Sequence, residues 1–337
     1  MNEIRKEIKE RIEKYPEKDI IIYAHADHDG ICSAVSLNYL FGNMEVKFSR
    51  SFKPKGLPYF RTKKLFIICD LQLNENQLKV LLDNGLEVIN FDHHEIREIQ
   101  HEKYICLNPK KIYGKQFISS SGLIWKIFKP EKIAWILAVG SASDLAIEDN
   151  IELFEFVKEK WPELLQATNL EAIYSSKIFE IAQILLMSFD NPSVGFSLIK
   201  ESINKGWDAI YRSSLYRLYL SKMQLLKSFI ENNKDKIFEH KKFVLIDSSN
   251  AKYSGSYSVY LNLKRKDKKT YIEYDNGRLF FRNYFGKDDV VALAKLFDGG
   301  GAHKRAGGAY TRKSFSEVLK IIKNYYEKRQ PTLFDFK

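Results

Sequence analysis

Short apolar runs alternate with amphipathic stretches along the first 145 residues of the chain. The apolar runs have the length of strands, and several of the segments between them have a helical period. This alternation predicts an α/β fold with a parallel sheet and helices on both of its faces. The predicted strands are residues 19–24, 45–48, 64–69, 86–91, 104–107 and 133–139.

The pattern changes twice further along the chain. Residues 150–237 carry a helical period, and short strand-like runs return from residue 242 onward, where GGGAHKRAGGAY is predicted to be a glycine-rich loop leading into a strand. The aromatic-rich helical segment either covers the core or forms a homodimer face. We expect a parallel-sheet domain over residues 1–195, a helical linker over 196–240, a smaller α/β domain across a cleft over 241–328, and a flexible tail over 329–337.

Histidine and aspartate residues follow four of the apolar runs, in the sequences AHADHDG, ICD, DHHE and GSASD. A single aspartate after a strand is more often a helix cap or a turn residue. Four strand ends that bring such groups to the same edge of one sheet instead indicate a shared site, because open α/β sheets bind ligands there. The candidate residues are His25, Asp27, Asp29, Asp70, Asp92, His93, His94 and Asp144.

This chemistry predicts a metal site. Acidic groups crowded on one rim repel one another and lose hydration unless cations lie among them. Carboxylates with fewer imidazoles and no thiolate favour Mn²⁺ or Mg²⁺ over structural zinc. So many ligands exceed the need of one ion, and a pair of ions that shares a carboxylate is typical of phosphoester hydrolysis.

The net charge of +11 belongs to the C-terminal part of the chain. Basic and acidic residues number 33 each over residues 1–240, whereas 21 basic residues face 10 acidic ones over 241–337. A basic domain beside a carboxylate-rich one indicates a polyanionic substrate, and the basic and aromatic residues of LKRKDKKTYIEY suit a nucleic-acid strand. The alternatives are the lysine-rich surface of a protein from a hot organism and a solvated turn.

Three scattered cysteines, Cys32, Cys69 and Cys106, are too few for a disulfide framework or a thiolate metal site. They predict core residues and a reducing cytoplasm. No apolar run approaches the roughly 18 residues of a membrane span. The charged N-terminal segment lacks the apolar core of a signal peptide, so we expect a cytoplasmic protein.

The four motifs, in this order and spacing, resemble those of the DHH phosphoesterase superfamily. RLFFRN and DVVALAKLFDGGGAHKRAGGA resemble the DHH-associated C-terminal domain, so the resemblance makes residues 1–195 catalytic and residues 241–328 substrate-binding. It implies two Mn²⁺ ions, with Mg²⁺ as the alternative, and Asp70 as their bridge. One ion is then held by His25, Asp27 and Asp70, and the other by Asp29, Asp70, His93 and Asp144.

The resemblance also implies roles for residues that do not bind metal. His94 would face the scissile phosphate, Asp92 would orient a neighbouring histidine, and His28 lies at a variable place where we expect an exposed side chain. In the second domain, backbone N–H groups of the glycine loop would hold a phosphate or terminal nucleotide, although Ala302 interrupts the usual glycine run. The substrate-binding residues implied are Arg282, Gly300, Gly301, His303 and Arg305.

The last residues, QPTLFDFK, resemble a sliding-clamp-binding box. Gln330 would hydrogen-bond the rim of a pocket on the clamp, while Leu333 and Phe336 would fill it. The alternative is that Phe334 and Phe336 pack onto their own domain. Lys337 also departs from the usual pair of final aromatic residues.

Together these features resemble archaeal RecJ-like exonucleases that act on single-stranded DNA or RNA in replication or repair, with 3′→5′ polarity and a helicase as a further partner. The first alternative is a phosphoesterase for short oligonucleotides, cyclic dinucleotides or pAp. The second is a binding module with a decayed site, which would lack a ligand. All predicted ligands are present.

Overall fold

The computed structural model describes residues 1–53, 62–94, 99–114, 117–288, 290–303 and 305–328, without the side chains of 302 and 303. The chain divides into two compact units, Met1–Tyr219 and Leu220–Lys337. The division falls inside the range predicted as a helical linker. The predicted α/β class is confirmed, with a parallel sheet in the first unit and another sheet in the second.

The first sheet contains five parallel strands in the order β2-β1-β3-β4-β5. Its central strands are buried on both faces, which is why they are continuous apolar runs rather than alternating ones. The order reverses between β1 and β3, and the carboxyl ends of strands at such a switch point form a crevice. The strands are β1 Ile20–His25, β2 Glu45–Ser49, β3 Leu65–Cys69, β4 Glu87–Phe91 and β5 Tyr104–Leu107.

Helices cover both faces of this sheet. On one face, alternate strand residues such as Ile21 and Phe66 pack against Leu78 and Leu81 of α3. On the other face, α2 and α5 contact β1 and β4, and α6 packs on both helices. The helices of this unit are α1 Asn2–Glu13, α2 His28–Phe41, α3 Glu75–Asp83, α4 Pro109–Tyr113, α5 Ser120–Phe128, α6 Ala134–Ser143, α7 Ile151–Lys160, α8 Leu170–Tyr174, α9 Lys177–Leu185 and α10 Pro192–Lys205, with α11 Ser214–Asn232 crossing into the second unit.

The predicted strand at residues 133–139 is wrong, because this segment lies in helix α6. Nearly every residue of α6 is buried, so its sequence AWILAVGSAS shows no polar face. A short apolar run of this kind has no periodicity that separates a buried strand from a buried helix. Small residues allow the helix to pack closely among α2, α5 and α9.

The second unit contains a six-stranded sheet in the order β10-β11-β9-β8-β7-β6. Only β7 and β8 pair in parallel; the other described pairs are antiparallel. One face packs on α13 and α14 and the other on α12 and the end of α11. The elements are β6 Ile237–Glu239, β7 Phe243–Asp247, α12 Tyr257–Arg265, β8 Thr270–Asp275, β9 Arg278–Arg282, α13 Val290–Ala294, β10 Asp298–His303, β11 Ala306–Tyr310 and α14 Phe315–Lys328.

The glycine-rich segment predicted as a loop is instead a β-hairpin. β10 and β11 pair antiparallel, with Gly301 opposite Gly308 and His303 opposite Ala306. Glycine is a poor strand former in general, which is why the sequence indicated a loop. Here pairing of β11 with β9 extends the sheet over both glycine strands.

The described helices include none with both the length and the apolarity required to cross a bilayer.

Candidate metal centre

Three neighbouring strands of the first sheet deliver their polar residues to one rim, as predicted. His25 ends β1, Asp70 directly follows β3, and Asp92 directly follows β4. The backbone N–H of Asp70 donates to the carbonyl of Phe91 at 2.8 Å, so the ends of β3 and β4 stay paired up to the site. The carboxyl ends of parallel strands thus bring distant parts of the sequence together.

Asp144 reaches the same site by a different route. It is the C-cap of helix α6 and does not follow a strand. The expectation of a fourth strand end is therefore wrong, although the residue lies where that expectation required. Oδ2 of Asp144 lies 3.1 Å from Nε2 of His93.

The start of helix α2 fixes the other acidic residues of the first motif. Asp27 is the N-cap, and its Oδ1 accepts a hydrogen bond from the N–H of Gly30 at 3.0 Å. A Cβ on Gly30 would lie 2.2 Å from the carbonyl oxygen of His25, so only glycine allows the helix to approach β1 this closely. The sequence DHDG thus supplies the N-cap of α2 and also allows α2 to pack closely against β1.

Asp29 is fully buried and is held by the N-terminus of helix α5. The backbone N–H groups of Ser120 and Ser121 donate to its two carboxylate oxygens at 2.8 and 3.0 Å. A Cβ on Gly140 would lie 2.8 Å from Asp29 and closer still to Ser121, so this glycine of the GSASD motif keeps space for the carboxylate. The helix N-terminus favours negative charge, which offsets part of the cost of burial.

Sequence reasoning did not identify the serine N–H groups that hold Asp29. The signal was present as three successive serines, 119–121, before a glycine and an apolar helix, which is a helix N-terminal pattern. That pattern shows where a helix begins, but it does not show which carboxylate the helix end will face.

The rim contains two groups of side chains, and within each group the ligand atoms all lie within 4.8 Å of one another. Asp70 belongs to both groups: its Oδ2 lies 3.4 Å from Nδ1 of His25 and its Oδ1 lies 3.0 Å from Nε2 of His93. A further group joins Asp70, His93 and His94. The first group is His25, Asp27 and Asp70. The second group is Asp29, Asp70, His93 and Asp144.

These donors fit a pair of divalent cations. The oxygen ligands outnumber the imidazole nitrogens, and the described set contains no cysteine, which suits hard octahedral ions. Asp70 is almost completely buried, yet both of its oxygens face histidines of different groups. A carboxylate in this position can bridge two ions.

The pKa values reflect several acidic groups in a small, buried volume. Burial, followed by the charge of Asp144, raises the pKa of Asp29 to about 7. Burial and the charge of Asp27 raise the pKa of Asp70 well above its ordinary value. Burial opposes protonation of His25, but hydrogen bonds to Asp27 and Asp70 outweigh it and raise its pKa to about 10. Positive charge, as protons or as cations, is therefore strongly favoured in this rim.

His94 lies beside the two groups and is oriented by Asp92. Oδ1 of Asp92 is 2.6 Å from Nδ1 of His94, and Asn108 donates to the backbone carbonyl of His94 at 3.0 Å. Asp92 is buried, whereas nearly half of the His94 side chain is exposed. The predicted placement of Asp92 beside a histidine is thus present, and it leaves the imidazole open to a ligand.

A groove of about 440 Å³ opens beside His25, Asp70 and His94. Arg50 lines it as well; its Nη2 lies 2.5 Å from Asp190 and its guanidinium stacks over the ring of Phe189. Sequence reasoning did not identify Arg50, which directly follows β2 in the sequence RSFKPK and belongs to none of the four motifs. The groove is large enough for part of a nucleotide.

His28 does not match the expectation of an exposed side chain. It is half-buried at the first position of α2, and both of its ring nitrogens are shielded from solvent. Burial raises the pKa of Asp27, but the hydrogen bond and charge of His25, followed by the charge of His28, outweigh it and lower this pKa. The helix start turns this side chain inward, which alternation along the motif does not reveal.

The predicted substrate-binding residues of the second unit lie on and beside the glycine hairpin. Nη1 of Arg282 donates to the carbonyls of Phe281 and Gly307 at 2.8 and 3.2 Å. Arg305 is buried, and its Nη1 donates to the carbonyl of Tyr284 at 2.8 Å, so it stabilises the end of the hairpin.

The glycines of β10 face different surroundings. A Cβ on Gly300 would lie 2.1 Å from the carbonyl of Ala294, whereas a Cβ on Gly301 would meet nothing within 4 Å. His303 is the last residue of the strand. Gln330, Leu333 and Phe336 of the predicted clamp box lie outside the described residues.

The fold and site define an α/β protein with an acidic and imidazole rim suited to two metal ions. Residues 19–147 match the family model described as "DHH family, N-terminal domain". Residues 19–147 thus form an N-terminal domain of the DHH family, whose members are metal-dependent phosphoesterases. No curated protein matched the sequence.

Several solved structures share the fold over nearly the whole chain. RecJ from Thermus thermophilus in complex with Mn²⁺ has a TM-score of 0.69 at 16% identity, covering 97% of this chain and 55% of that one. An exonuclease RecJ bound to manganese has a TM-score of 0.62 at 17% identity, covering 97% and 95%. The pGpG-specific phosphodiesterase PggH from Vibrio cholerae has a TM-score of 0.52 at 17% identity, covering 93% and 99%.

At these identities the similarity establishes a RecJ-like fold. The chain spans about half the length of the Thermus thermophilus protein.

Proposed function

We propose that this protein is a two-metal, Mn²⁺-dependent phosphodiesterase that acts as an exonuclease on single-stranded DNA or RNA, with 3′→5′ polarity, in replication or repair. The observation that carries the chemistry is Asp70, whose two carboxylate oxygens belong to both candidate metal groups. A bridging carboxylate of this kind sets two ions at the separation used for phosphoester hydrolysis.

Two bound cations, Mn²⁺ or Mg²⁺, would supply Lewis acidity and lower the pKa of a water in the site. Regular elements position both ligand sets: the first lies at the ends of β1 and β3 and the start of α2, and the second lies on α2, at the ends of β3 and β4 and at the end of α6. His25, Asp27 and Asp70 would hold one ion. Asp29, Asp70, His93 and Asp144 would hold the other.

His94 is the candidate for contact with the scissile phosphate. Its Nδ1 is paired with Asp92, which favours a proton on that nitrogen and sets the ring orientation. The partly exposed ring lines the groove, where it can donate a hydrogen bond to a ligand. Stabilisation of charge that develops on a phosphate oxygen would be its role.

Nucleic acid is the proposed substrate because the second unit is basic and built for contact with a backbone. Residues 241–337 carry 21 basic and 10 acidic residues. Arg282 lies on the sheet beside the glycine hairpin, and Gly301 leaves its strand accessible. The backbone groups of this strand and His303 would contact a phosphate or terminal nucleotide, whereas buried Arg305 would support the hairpin.

A second candidate function is hydrolysis of short oligonucleotides, cyclic dinucleotides or pAp. It is favoured by the fold similarity to a pGpG-specific phosphodiesterase, of which the chain covers 99%. Substrate length separates the candidates: an exonuclease keeps or gains rate beyond about ten nucleotides, whereas an enzyme for short substrates loses it.

The tail and the cellular setting complete the proposal. Gln330, Leu333 and Phe336 would bind a sliding clamp, and a helicase or a second copy of the chain are further proposed partners. All three cysteines are free, which suits a reducing cytoplasm, and the archaeal assignment rests on the tail and composition. Deletion of residues 330–337 should remove clamp binding while sparing hydrolysis; unchanged affinity for the clamp would refute this assignment.

The direct test is digestion of end-labelled DNA and RNA ladders with Mn²⁺, compared with Mg²⁺ and with EDTA. We expect stepwise shortening from one end, dependent on the cation, and none from the Asp70→Asn variant. Absence of cleavage on every ladder and on a small chromogenic phosphodiester would overturn the proposed function.

A further inference from the structure

The glycine hairpin and its neighbour β9 share a flat face, and for part of it, such as Gly308 and Tyr310, the sequence predicts no role. Paired residues in adjacent strands point to the same side of a sheet. Arg278, Phe280 and Arg282 on β9 pair with Tyr310, Gly308 and Ala306 on β11, so all six lie on one face. On β10, Gly301 continues this face opposite Gly308.

The opposite face is the core of the unit. Leu279, Phe281 and Ala309 alternate with the residues above and pack against α13 and α14. On the first face, α12 covers β7 and β8, where Val244 and Tyr271 are buried, and it also contacts β9. Further along that face the residues of β11 and β10 are partly or fully exposed. A sheet that is covered over half of one face thus presents its other half to ligands.

Two glycines leave the middle of this face without side chains. A Cβ on Gly301 would meet nothing within 4 Å, and a Cβ on Gly308 would meet only the carbonyl of Leu279 at 3.6 Å. The fold therefore does not require glycine at either position, in contrast to Gly300, where a Cβ would lie 2.1 Å from a backbone oxygen. Accessible glycines that packing does not demand indicate that something else lies flat on the strands.

Tyr310 stands at the edge of this glycine strip. It is 65% exposed, the highest value among the large hydrophobic residues of the described chain. Its ring lies near Gly299, where a Cβ would be 3.8 Å away. Proteins that bind single strands stack the bases on aromatic side chains, and this stacking requires a ring that is open to the ligand.

Arginines lie at both ends of the strip. Arg278 pairs with Asp275 and remains more than half exposed, next to Tyr310 in the register. Arg282 is held across β9 and β11 by carbonyl hydrogen bonds, which use only part of its five donors. The surface thus combines a ring, a flat floor and fixed cations.

We propose that this face, which we call the Tyr310 platform (Arg278, Phe280, Arg282, Gly301, Gly308 and Tyr310), binds an unpaired nucleobase of the substrate strand. The base stacks on Tyr310 and lies over Gly301 and Gly308, while the adjacent phosphates contact Arg282 and Arg278. The proposal rests on the proposed function, since it takes the nucleic acid to be the substrate. Nucleic acid fits better than a protein partner because the exposed ring is bordered by arginines within a strongly basic unit.

The platform can be tested by binding alone, with the full chain and EDTA present. Affinity is measured for an oligothymidylate of about twelve nucleotides and for an abasic strand of the same length. Tyr310→Ala should weaken binding of the oligothymidylate about tenfold and leave the abasic strand unchanged, because stacking needs a base. Tyr310→Trp should retain the affinity, and Tyr39→Ala, which removes an exposed tyrosine from α2, is the matched control.

A second variant tests the floor. A Cβ at position 308 would make only an ordinary contact, so Gly308→Val should reduce base-dependent binding by a similar factor, with the melting temperature unchanged. The proposal is overturned if Tyr310→Ala binds the oligothymidylate as wild type does, or if it loses affinity for both strands equally.

Hydrolysis of a small chromogenic phosphodiester with Mn²⁺ distinguishes the two possible failures. If the diester is cleaved while Tyr310→Ala has wild-type affinity, the platform is refuted and the proposed chemistry stands. If neither the diester nor any of the DNA and RNA ladders is cleaved, the proposed function itself is refuted.

Discussion

The metal rim of the first unit and the Tyr310 platform of the second are built on opposite principles. The rim is made of buried and half-buried acidic and imidazole side chains that contact one another or, as Asp29 does at α5, bond to a helix terminus. At the centre of the platform lie Gly301 and Gly308, which have no side chains, and one exposed ring, that of Tyr310, stands at its edge. The rim requires particular atoms at particular distances, whereas the platform requires only flatness and positive charge.

Under the proposed function the two sites have different tasks: the rim carries out the chemistry, and the platform binds strands of varied sequence. Chemistry at phosphorus depends on placement within a fraction of an ångström, so its ligands are anchored by several elements. Stacking accepts any base because every base has a flat face. Changes at the rim should therefore act on turnover, and changes at the platform on affinity.

The largest expected effect is at the residue shared by both metal groups. Asp70→Asn keeps the shape of the side chain but removes the charge that joins the groups, and several kcal/mol of transition-state stabilisation should be lost. We expect turnover with Mn²⁺ to fall by about 10³-fold, measured on a chromogenic phosphodiester. Asp83→Asn, an exposed aspartate at the end of α3, is the control. Turnover within tenfold of wild type would exclude a bridging role.

A buried carboxylate in the second unit provides a contrast with the rim. Glu273 is fully buried, and its oxygens accept hydrogen bonds from the N–H groups of Gly255 and Ser258 and from serine hydroxyls. Glu273→Ala leaves these donors unsatisfied and should lower the free energy of unfolding of this unit by about 3 kcal/mol. Urea denaturation measures the change, with exposed Glu327→Ala as the control. An equal effect of both variants would show that the donors are satisfied in another way.

Cations should stabilise only the unit that contains the rim. If Mn²⁺ binds the folded site at a concentration about 100-fold above its dissociation constant, the free energy of unfolding rises by about 2.7 kcal/mol. Differential scanning calorimetry should show the transition of the first unit shifting upward and that of the second unchanged. Asp70→Asn should lose most of this shift, and an equal shift in the variant would contradict the assigned ligands.

Metal affinity should rise with pH. Cations bind the deprotonated ligands, and Asp29, with a pKa of about 7, and His25, with a pKa of about 10, must each release a proton. Below pH 7 each released proton contributes up to about tenfold in affinity per pH unit, and above pH 7 the contribution of Asp29 levels off while that of His25 continues. Calorimetric titration in buffers of different ionisation enthalpy measures the protons released. Affinity that is independent of pH between 6 and 8 would refute this linkage.

The sequence predicted the first unit best where strands carry chemistry at their ends. The ends of β1, β3 and β4 were predicted at His25, Asp70 and Asp92 because apolar runs stop abruptly there. The prediction for α6 was wrong because a helix buried all round shows no polar face. The partners of Asp29 were out of reach for another reason: contacts between α2 and α5 join residues 91 and 92 positions apart, and no local pattern encodes them.

The second unit was predicted less well. Its strands and helices follow from their periods, but the glycine hairpin indicated a loop, because pairing with β9 overrides the poor strand propensity of glycine. Tyr310 carries no motif, and only the register shows that it shares a face with Gly308 and Arg278. Sites made of flat surface leave little trace in a sequence.

The backbone of Asp70 has a φ of 57°, in the left-handed region. Among residues with a side chain, asparagine and aspartate tolerate this conformation best, and β-branched or bulky residues pay a conformational penalty there. Two requirements therefore restrict substitution of Asp70: the side chain must be a metal ligand, and the residue must tolerate the left-handed backbone conformation. Random mutagenesis that selects for a folded chain should recover asparagine and glycine here, while selection for turnover should return aspartate alone.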